Sequence, residues 1–162
     1  MKANIKMKNR KGQFYILTAV IFCSVMFMLI SNRSSIQELN PEFKKLYDNY
    51  IYESPNVINN ALYNNKNVSK QFKNYTSDFI GYAKEKNINL GVFYILKLDN
   101  EIEAVNYLNE NVNITTIKTL LGPNKHIRLN KTSNITIEVR GSSYIYNITE
   151  DKVQFKVLLI KQ

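Results

Sequence analysis

The longest apolar stretch of the chain lies near its N-terminus, where Phe14 to Ile30 carry no charged side chain. At ~1.5 Å per residue this stretch makes a helix of about 26 Å, slightly short of a hydrocarbon core of ~30 Å. Lys11 and Arg33 flank it, and their side chains are long enough to reach the two membrane surfaces. The pattern predicts a transmembrane helix over residues 13–31.

Beyond this stretch, apolar residues recur at the spacing of amphipathic helices. Asn40-Pro41-Glu42 is a typical helix start, with a capping residue, a proline in the first turn and then an acid. We expect Pro55 to break this helix or to start the next one, and a third helix is predicted over residues 68–85. The first apolar stripe is interpreted as core packing, and its members are Phe43, Leu46, Tyr47, Tyr50 and Ile51.

The apolar period changes to two residues at Ile88. From Ile88 to Leu98 every second residue is apolar, and in the middle of this segment the residues between them are apolar as well. Both faces of a strand would therefore be apolar, which predicts a central strand buried on both sides. The segment from Asn100 to Asn111 is ambiguous. Five shorter strands, joined by turns typical of an antiparallel meander, are predicted over residues 114–120, 126–129, 134–140, 143–149 and 152–160.

Charge indicates the direction in which the chain crosses the membrane. Five cations and no acid precede the apolar stretch, and the positive-inside rule keeps them in the cytoplasm. The rest of the chain contains 17 cations and 13 acids, a net charge of +4. This small excess is not typical of a nucleic-acid-binding domain. A buried core helix and a cleaved secretory signal peptide are the alternatives. A secretory cleavage site needs small residues, as in A-x-A, and the sequence Ile-Ser-Asn-Arg at residues 30–33 offers no good site.

The order of these elements predicts the fold class and the domains. Helices first and strands second indicate an α+β protein with an N-terminal transmembrane helix, two to three amphipathic helices and then an antiparallel β-sheet domain. The predicted domains are a basic cytoplasmic head over residues 1–12, the transmembrane helix over 13–31, a juxtamembrane connector over 32–40 and an extracytoplasmic α+β domain over 41–162.

Residues that carry out chemistry are sparse in this sequence. Cys23 is the only cysteine and His126 the only histidine, so neither a disulfide within the chain nor a zinc site is expected. Glu101 and Glu103 would share one side of an extended segment, but two acids in a polar loop are typical of solvated surface. We predict no catalytic residue, no cofactor, no metal site, no nucleic-acid partner and no small-molecule substrate.

Lys11-Gly12-Gln13, at the junction of the basic head and the apolar stretch, resembles the class III signal peptides of archaeal type IV pilins and related surface proteins. In those families a dedicated peptidase cuts after the glycine, and the apolar helix stays. The resemblance implies a cut between Gly12 and Gln13. Many such pilins have Glu at the fifth mature position, where it helps subunits pack, and this chain has Leu17. Residues 43–64 also look like uncharacterised archaeal single-pass proteins, without a known activity.

Asparagine is abundant, and seven of the 23 asparagines begin an Asn-X-Ser/Thr triplet. Chance predicts roughly 2.6 such triplets for this composition, and on a translocated domain they mark acceptors for glycans. We favour Asn67, Asn74, Asn130 and Asn147 as glycosylation sites. The less favoured triplets begin at Asn32, which adjoins the apolar stretch, and at Asn113 and Asn134, which lie near or in predicted strands.

These features together predict a non-catalytic, membrane-anchored cell-envelope protein that exposes a glycosylated α+β domain outside the cell. Its expected partners are membrane lipid and other envelope or pilin-like proteins. The alternative is a minor type IV pilin-like subunit of a surface filament or secretion apparatus. A membrane-tethered enzyme is the third hypothesis.

The topology is testable with protease added to intact cells, or to spheroplasts where a wall intervenes. We expect digestion of everything beyond Ser31, because the charge asymmetry places that part outside. A tag at the N-terminus should stay protected in the same cells, which serves as the control. Full protection of a C-terminal tag would contradict the predicted topology.

Overall fold

The computed structural model describes residues 41–162, in which two helices precede eight strands. The helices are α1, Pro41–Tyr63, and α2, Val68–Glu85. The strands are β1 Leu90–Leu98, β2 Glu101–Asn106, β3 Val112–Ile114, β4 Thr119–Leu121, β5 Lys125–Leu129, β6 Asn134–Val139, β7 Ser142–Asn147 and β8 Val153–Lys161. A short 3-10 turn, Thr115–Ile117, joins β3 to β4.

α1 begins at the predicted residue but continues through Pro55. Proline cannot donate a backbone hydrogen bond to the preceding turn, and this loss costs ~3 kcal/mol in a helix interior. The Ser54 hydroxyl donates to the Tyr50 carbonyl at 2.6 Å beside the proline. Buried residues lie on both sides of Pro55, including Tyr50 and Ile58. The expectation that Pro55 ends one helix or starts another was therefore wrong, because packing outweighs the lost bond.

α2 has the predicted bounds. Asn67 caps its N-terminus, where the side-chain oxygen accepts from the backbone N–H of Lys70 at 2.8 Å. Phe72, Thr76 and Ala83 are buried along one side. The prediction of a helix over residues 68–85 is confirmed.

β1 is the central strand of the domain. It pairs in antiparallel fashion with β2 and β8, within a four-stranded sheet of order β5-β2-β1-β8 that we call the first sheet. Residues 90–97 are all buried, so both faces of the strand are covered. The prediction of a strand buried on both sides is confirmed.

Two hydrophobic cores lie against the two faces of β1. The first core packs α1 and α2 on Val92, Tyr94 and Leu96. The second core packs Phe93 and Ile95 against a second antiparallel sheet of order β4-β3-β6-β7. The layers are therefore helices, first sheet and second sheet.

The fold class predicted from the sequence is wrong. In place of two to three helices and one antiparallel sheet, the structure has two helices and two four-stranded sheets. The second sheet exists because a single sheet under the helices would leave Phe93 and Ile95 exposed to water. Neither α1 nor α2 is long and apolar enough to cross a membrane. The predicted transmembrane helix, residues 13–31, lies outside the described residues.

The strands do not form the predicted meander, because the chain moves between the two sheets. β8 returns to pair with β1, and β5 pairs with β2. The buried side chain of Asn106 joins two of these crossings. Its Nδ2 donates to the carbonyls of Glu110 and Leu121, both at 2.9 Å, and its Oδ1 accepts from the N–H of Leu108 at 2.8 Å.

A buried lysine holds the fourth and last crossing, from β7 to β8. Lys97 is 4% exposed, and its Nζ donates to the carbonyls of Thr149 at 2.8 Å and Asp151 at 2.6 Å. Buried polar groups are tolerated when hydrogen bonds satisfy them. Lys97 and Asn106 therefore hold three of the four connections between the two sheets.

One buried hydroxyl has no such partner. Tyr94 is fully buried, packs edge-on against Phe72 with ring centroids 4.9 Å apart, and its hydroxyl makes no hydrogen bond within residues 41–162. Burial raises the pKa of Tyr94 far above its ordinary value, so the hydroxyl stays protonated. The hydroxyl of Tyr50, in the same core, bonds the Thr76 hydroxyl at 2.8 Å.

We expect Tyr94→Phe to raise the free energy of unfolding by about 1–3 kcal/mol, because it removes a desolvated, unpartnered hydroxyl. The matched variant Tyr50→Phe should lower it by about 0.5–1.5 kcal/mol, because it removes a hydrogen bond. Urea unfolding of the full-length protein, followed by circular dichroism, measures both. A destabilised Tyr94→Phe variant would show that this hydroxyl is satisfied.

Candidate interaction surface

β8 ends the first sheet, and no strand within residues 41–162 pairs with its outer side. It is nine residues long, and an edge of this kind offers a row of backbone N–H and C=O groups to another chain. Lysines stand along it, with Lys156 and Lys161 in the strand and Lys152 just before it. Edge lysines oppose unwanted pairing, and they also select partners by charge.

An apolar groove of about 480 Å³ runs beside this edge, between α1 and β8. We call it the β8 groove. One residue of its lining, Asn59, is polar, while the others are apolar side chains and a proline ring. The lining residues are Ile51, Pro55, Ile58, Asn59, Val153, Phe155 and Val157.

The α1 side of the groove leaves apolar surface in contact with water. The sequence interpretation assigned the whole stripe from Phe43 to Ile51 to the core. The structure buries Phe43, Leu46 and Tyr50 but leaves Tyr47 41% and Ile51 36% exposed. The apolar stripe of α1 is therefore wider than the surface that the first sheet covers.

A polar cluster joins α2 to the first sheet at another place. The Glu103 carboxylate of β2 accepts from Lys73 Nζ at 2.5 Å and from the Ser69 hydroxyl, both on α2. His126, on the edge strand β5, places Nε2 3.9 Å from the same carboxylate. Burial alone acts to raise the pKa of Glu103, but the bonds from Lys73 and Ser69 and the nearby positive charge lower it below its usual range.

This cluster corrects one interpretation made from the sequence. Glu101 is exposed as expected, whereas the side chain of Glu103 is only 12% exposed and is bound to α2. Ser69 and Lys73 were not singled out, although their four-residue spacing on a predicted helix places them on one face. The cluster clamps a helix to a sheet.

The favoured glycosylation sites are all exposed. Asn67 caps the N-terminus of α2, Asn74 lies on α2, Asn130 follows β5, and Asn147 ends β7. The structure brings Asn147 opposite Asn134, the first residue of β6. The third triplet that begins on a strand is that of Asn113 on β3, whose Nδ2 donates to Glu138 at 3.1 Å.

The remaining sites predicted from the sequence fall elsewhere. Gly12 and Gln13 of the expected processing site lie outside the described residues. Among residues 41–162, no three His, Cys, Asp or Glu side chains gather in an arrangement that would hold a metal ion.

Comparison with protein families, with curated proteins and with solved structures finds no match to this chain. The function is therefore inferred from the chain's own geometry.

The clamp at Glu103 predicts a pH dependence. Because the folded pKa is lowered, this carboxylate stabilises the fold above its unfolded pKa of about 4.3, and that stability is lost as the pH falls through the folded pKa. We expect the free energy of unfolding to fall more steeply below about pH 5 in the wild type than in Glu103→Gln. Urea titrations at several pH values measure this.

Glu101→Gln is the matched control, because Glu101 lies two residues away on the same strand and is exposed. It should follow the wild-type curve. Parallel curves for the wild type and Glu103→Gln would contradict a stabilising role of the charged clamp.

Proposed function

We propose that this protein is a non-catalytic, membrane-anchored cell-envelope protein whose folded domain binds an extended segment of a partner protein. The basic head and the apolar N-terminal stretch support the membrane location and the exposure of residues 41–162 outside the cell. One observation supports the binding function: the outer edge of β8, which no strand among residues 41–162 pairs, lies beside the apolar β8 groove.

Such an edge is suited to strand addition. In this mode an extended peptide hydrogen-bonds to the exposed backbone, which supplies affinity, while pockets for alternate side chains supply specificity. On β8 the residues at odd positions, Val153, Phe155 and Val157, line the groove. A paired strand would direct every second side chain into this groove.

The side chains on the opposite face of β8 determine which residues the partner segment needs at its remaining alternate positions. Lys152 and Lys156 stand at even positions, which face away from the groove. Opposite charges placed directly across two strands stabilise pairing, whereas like charges oppose it. The partner segment is therefore an extended strand in which apolar and acidic residues alternate.

A second copy of this chain fits the edge less well. Pairing β8 with itself about a two-fold axis would place Lys152 and Lys156 of both copies on the same face of the joined sheet, with Lys161 of both copies on the other face. This concentration of positive charge favours an acidic partner over self-association.

Glycosylation fits the same arrangement. Asn67, Asn74, Asn130 and Asn147 are exposed, and none of them lines the β8 groove. Sugar at these positions would cover other parts of the surface while the groove lining itself stays unmodified.

The test uses full-length protein in detergent and a nine-residue peptide in which valine and glutamate alternate. We expect saturable binding together with slowed hydrogen exchange at the β8 amides that point away from β1. This exchange pattern is specific to strand addition, because packing in the groove alone would not protect those amides. A peptide with the same composition in two blocks is the control and should not bind.

Variants then separate the apolar and the charged contributions. Val153→Asp should weaken peptide binding by about tenfold or more, a loss of ~1.4 kcal/mol. Ile145→Asp, at a 68% exposed site on the edge strand β7, should leave binding unchanged. Lys156→Glu should shift the preference to a peptide in which valine alternates with lysine.

Equal binding of the alternating and the block peptide would overturn strand addition. So would β8 amides that are already protected before peptide is added. In that case sedimentation decides whether a second copy or residues 1–40 of the same chain occupy the edge.

A further inference from the structure

A second concave site lies away from the β8 groove, where α2 ends and β1 begins. It is a cleft of about 300 Å³, at the lower end of the size range of small-molecule sites. We call it the Lys84 cleft. Its polar lining comes from α2, three loops and the residue after β8, and consists of Ser77, Lys84, Asn89, Tyr107, Asn109, Asn124 and Gln162.

The Gln162 amide is the most informative group in this cleft. Its Nε2 is buried and has no hydrogen-bond partner in the described part of the chain. The backbone of Gln162 is held by a bond from its N–H to the Asn89 carbonyl at 2.8 Å. The side chain occupies space that Gly91 leaves free, since a Cβ there would lie 2.5 Å from Nε2. Buried donors are nearly always satisfied, so an acceptor from outside the chain is expected.

Lys84 is the charged side chain in the lining of the cleft. No Asp or Glu lines it, and Lys84 forms no ion pair within residues 41–162. The amides of Asn109, Asn124 and Gln162 both donate and accept hydrogen bonds, as do the hydroxyls of a polyol. Burial raises the pKa of Tyr107, and the nearby Glu103 charge adds to this, so its hydroxyl remains a donor.

Apolar side chains complete the lining. Ile80, Ile88 and Leu90 contribute surface that suits the C–H face of a sugar ring. A neutral apolar molecule would leave the amides and Lys84 without partners. A simple inorganic anion would use Lys84 but not the apolar surface.

We infer that the Lys84 cleft binds a small carboxylate that carries several hydroxyl groups, of the chemical class of a uronic acid. The carboxylate pairs with Lys84, and the ring hydroxyls bond the amides and Tyr107. This site is independent of the β8 groove and of partner binding there. The same chemistry is offered by a free sugar acid and by a terminal uronic acid of a glycan.

The test is calorimetry and ligand-observed NMR on the full-length protein with glucuronate, glucose and acetate as probes. Glucuronate should bind saturably and at least tenfold more tightly than either of the others, because only it carries both the charge and the hydroxyls. Glucose binding as tightly as glucuronate would overturn the role of the carboxylate. Absence of saturable glucuronate binding would overturn the site.

Variants locate the binding. Lys84→Gln should weaken glucuronate binding about tenfold or more, while Lys70→Gln, an exposed lysine on the same helix, should leave it unchanged. Gly91→Ala should weaken it by displacing the Gln162 amide. An unchanged affinity in Lys84→Gln would place the binding elsewhere and overturn the proposal.

The methyl glycoside of glucuronate distinguishes the two sources of ligand. Binding as tight as that of glucuronate supports a terminal glycan residue, because the glycosidic oxygen is then tolerated. Binding of free glucuronate alone supports a free sugar acid.

Discussion

The architecture depends on one constraint, which is that β1 is apolar on both of its faces. Each large side chain that moves from water into a core stabilises the fold by about 1.5–3 kcal/mol. Another layer must pack on one face of β1 to bury Val92, Tyr94 and Leu96. A different layer must pack on the other face to bury Phe93 and Ile95. The helices can supply only the first of these layers, so four of the later strands, β3, β4, β6 and β7, form a second sheet instead of widening the first one.

This arrangement explains which parts of the fold the sequence predicts. The start of α1, the bounds of α2 and the burial of β1 follow from capping residues and apolar periods, which are local signals. The division of the strands into two sheets does not follow from local signals. A period of two shows which side chains point inward, but not which of the two cores they enter. Lys97 and Asn106 also read as ordinary polar residues, yet their buried hydrogen bonds hold the crossings between the sheets.

The candidate interaction surface, too, could be predicted only in part from the sequence. The stripe of α1 is visible in the sequence, but only the packing shows that Tyr47 and Ile51 lie beyond the covered surface. β8 alternates like any other strand, and its position at an edge is set by its pairing with β1 from far along the chain. Glu103 reads as a solvated acid until α2 brings Lys73 to it.

The pairing of β1 with β8 also sets the order in which the domain becomes complete. The hairpins β3–β4 and β6–β7 close short loops, whereas β1 and β8 are separated by the whole second sheet. Contacts so distant in sequence form slowly, because a long loop must close before they are made. During that interval the edge of β1 stays open, and its run of residues Val92 to Leu96 is uncharged and rich in β-branched and aromatic side chains. We therefore expect newly made chains to be most prone to aggregate before β8 pairs with β1, and more so at high concentrations of incompletely folded chains.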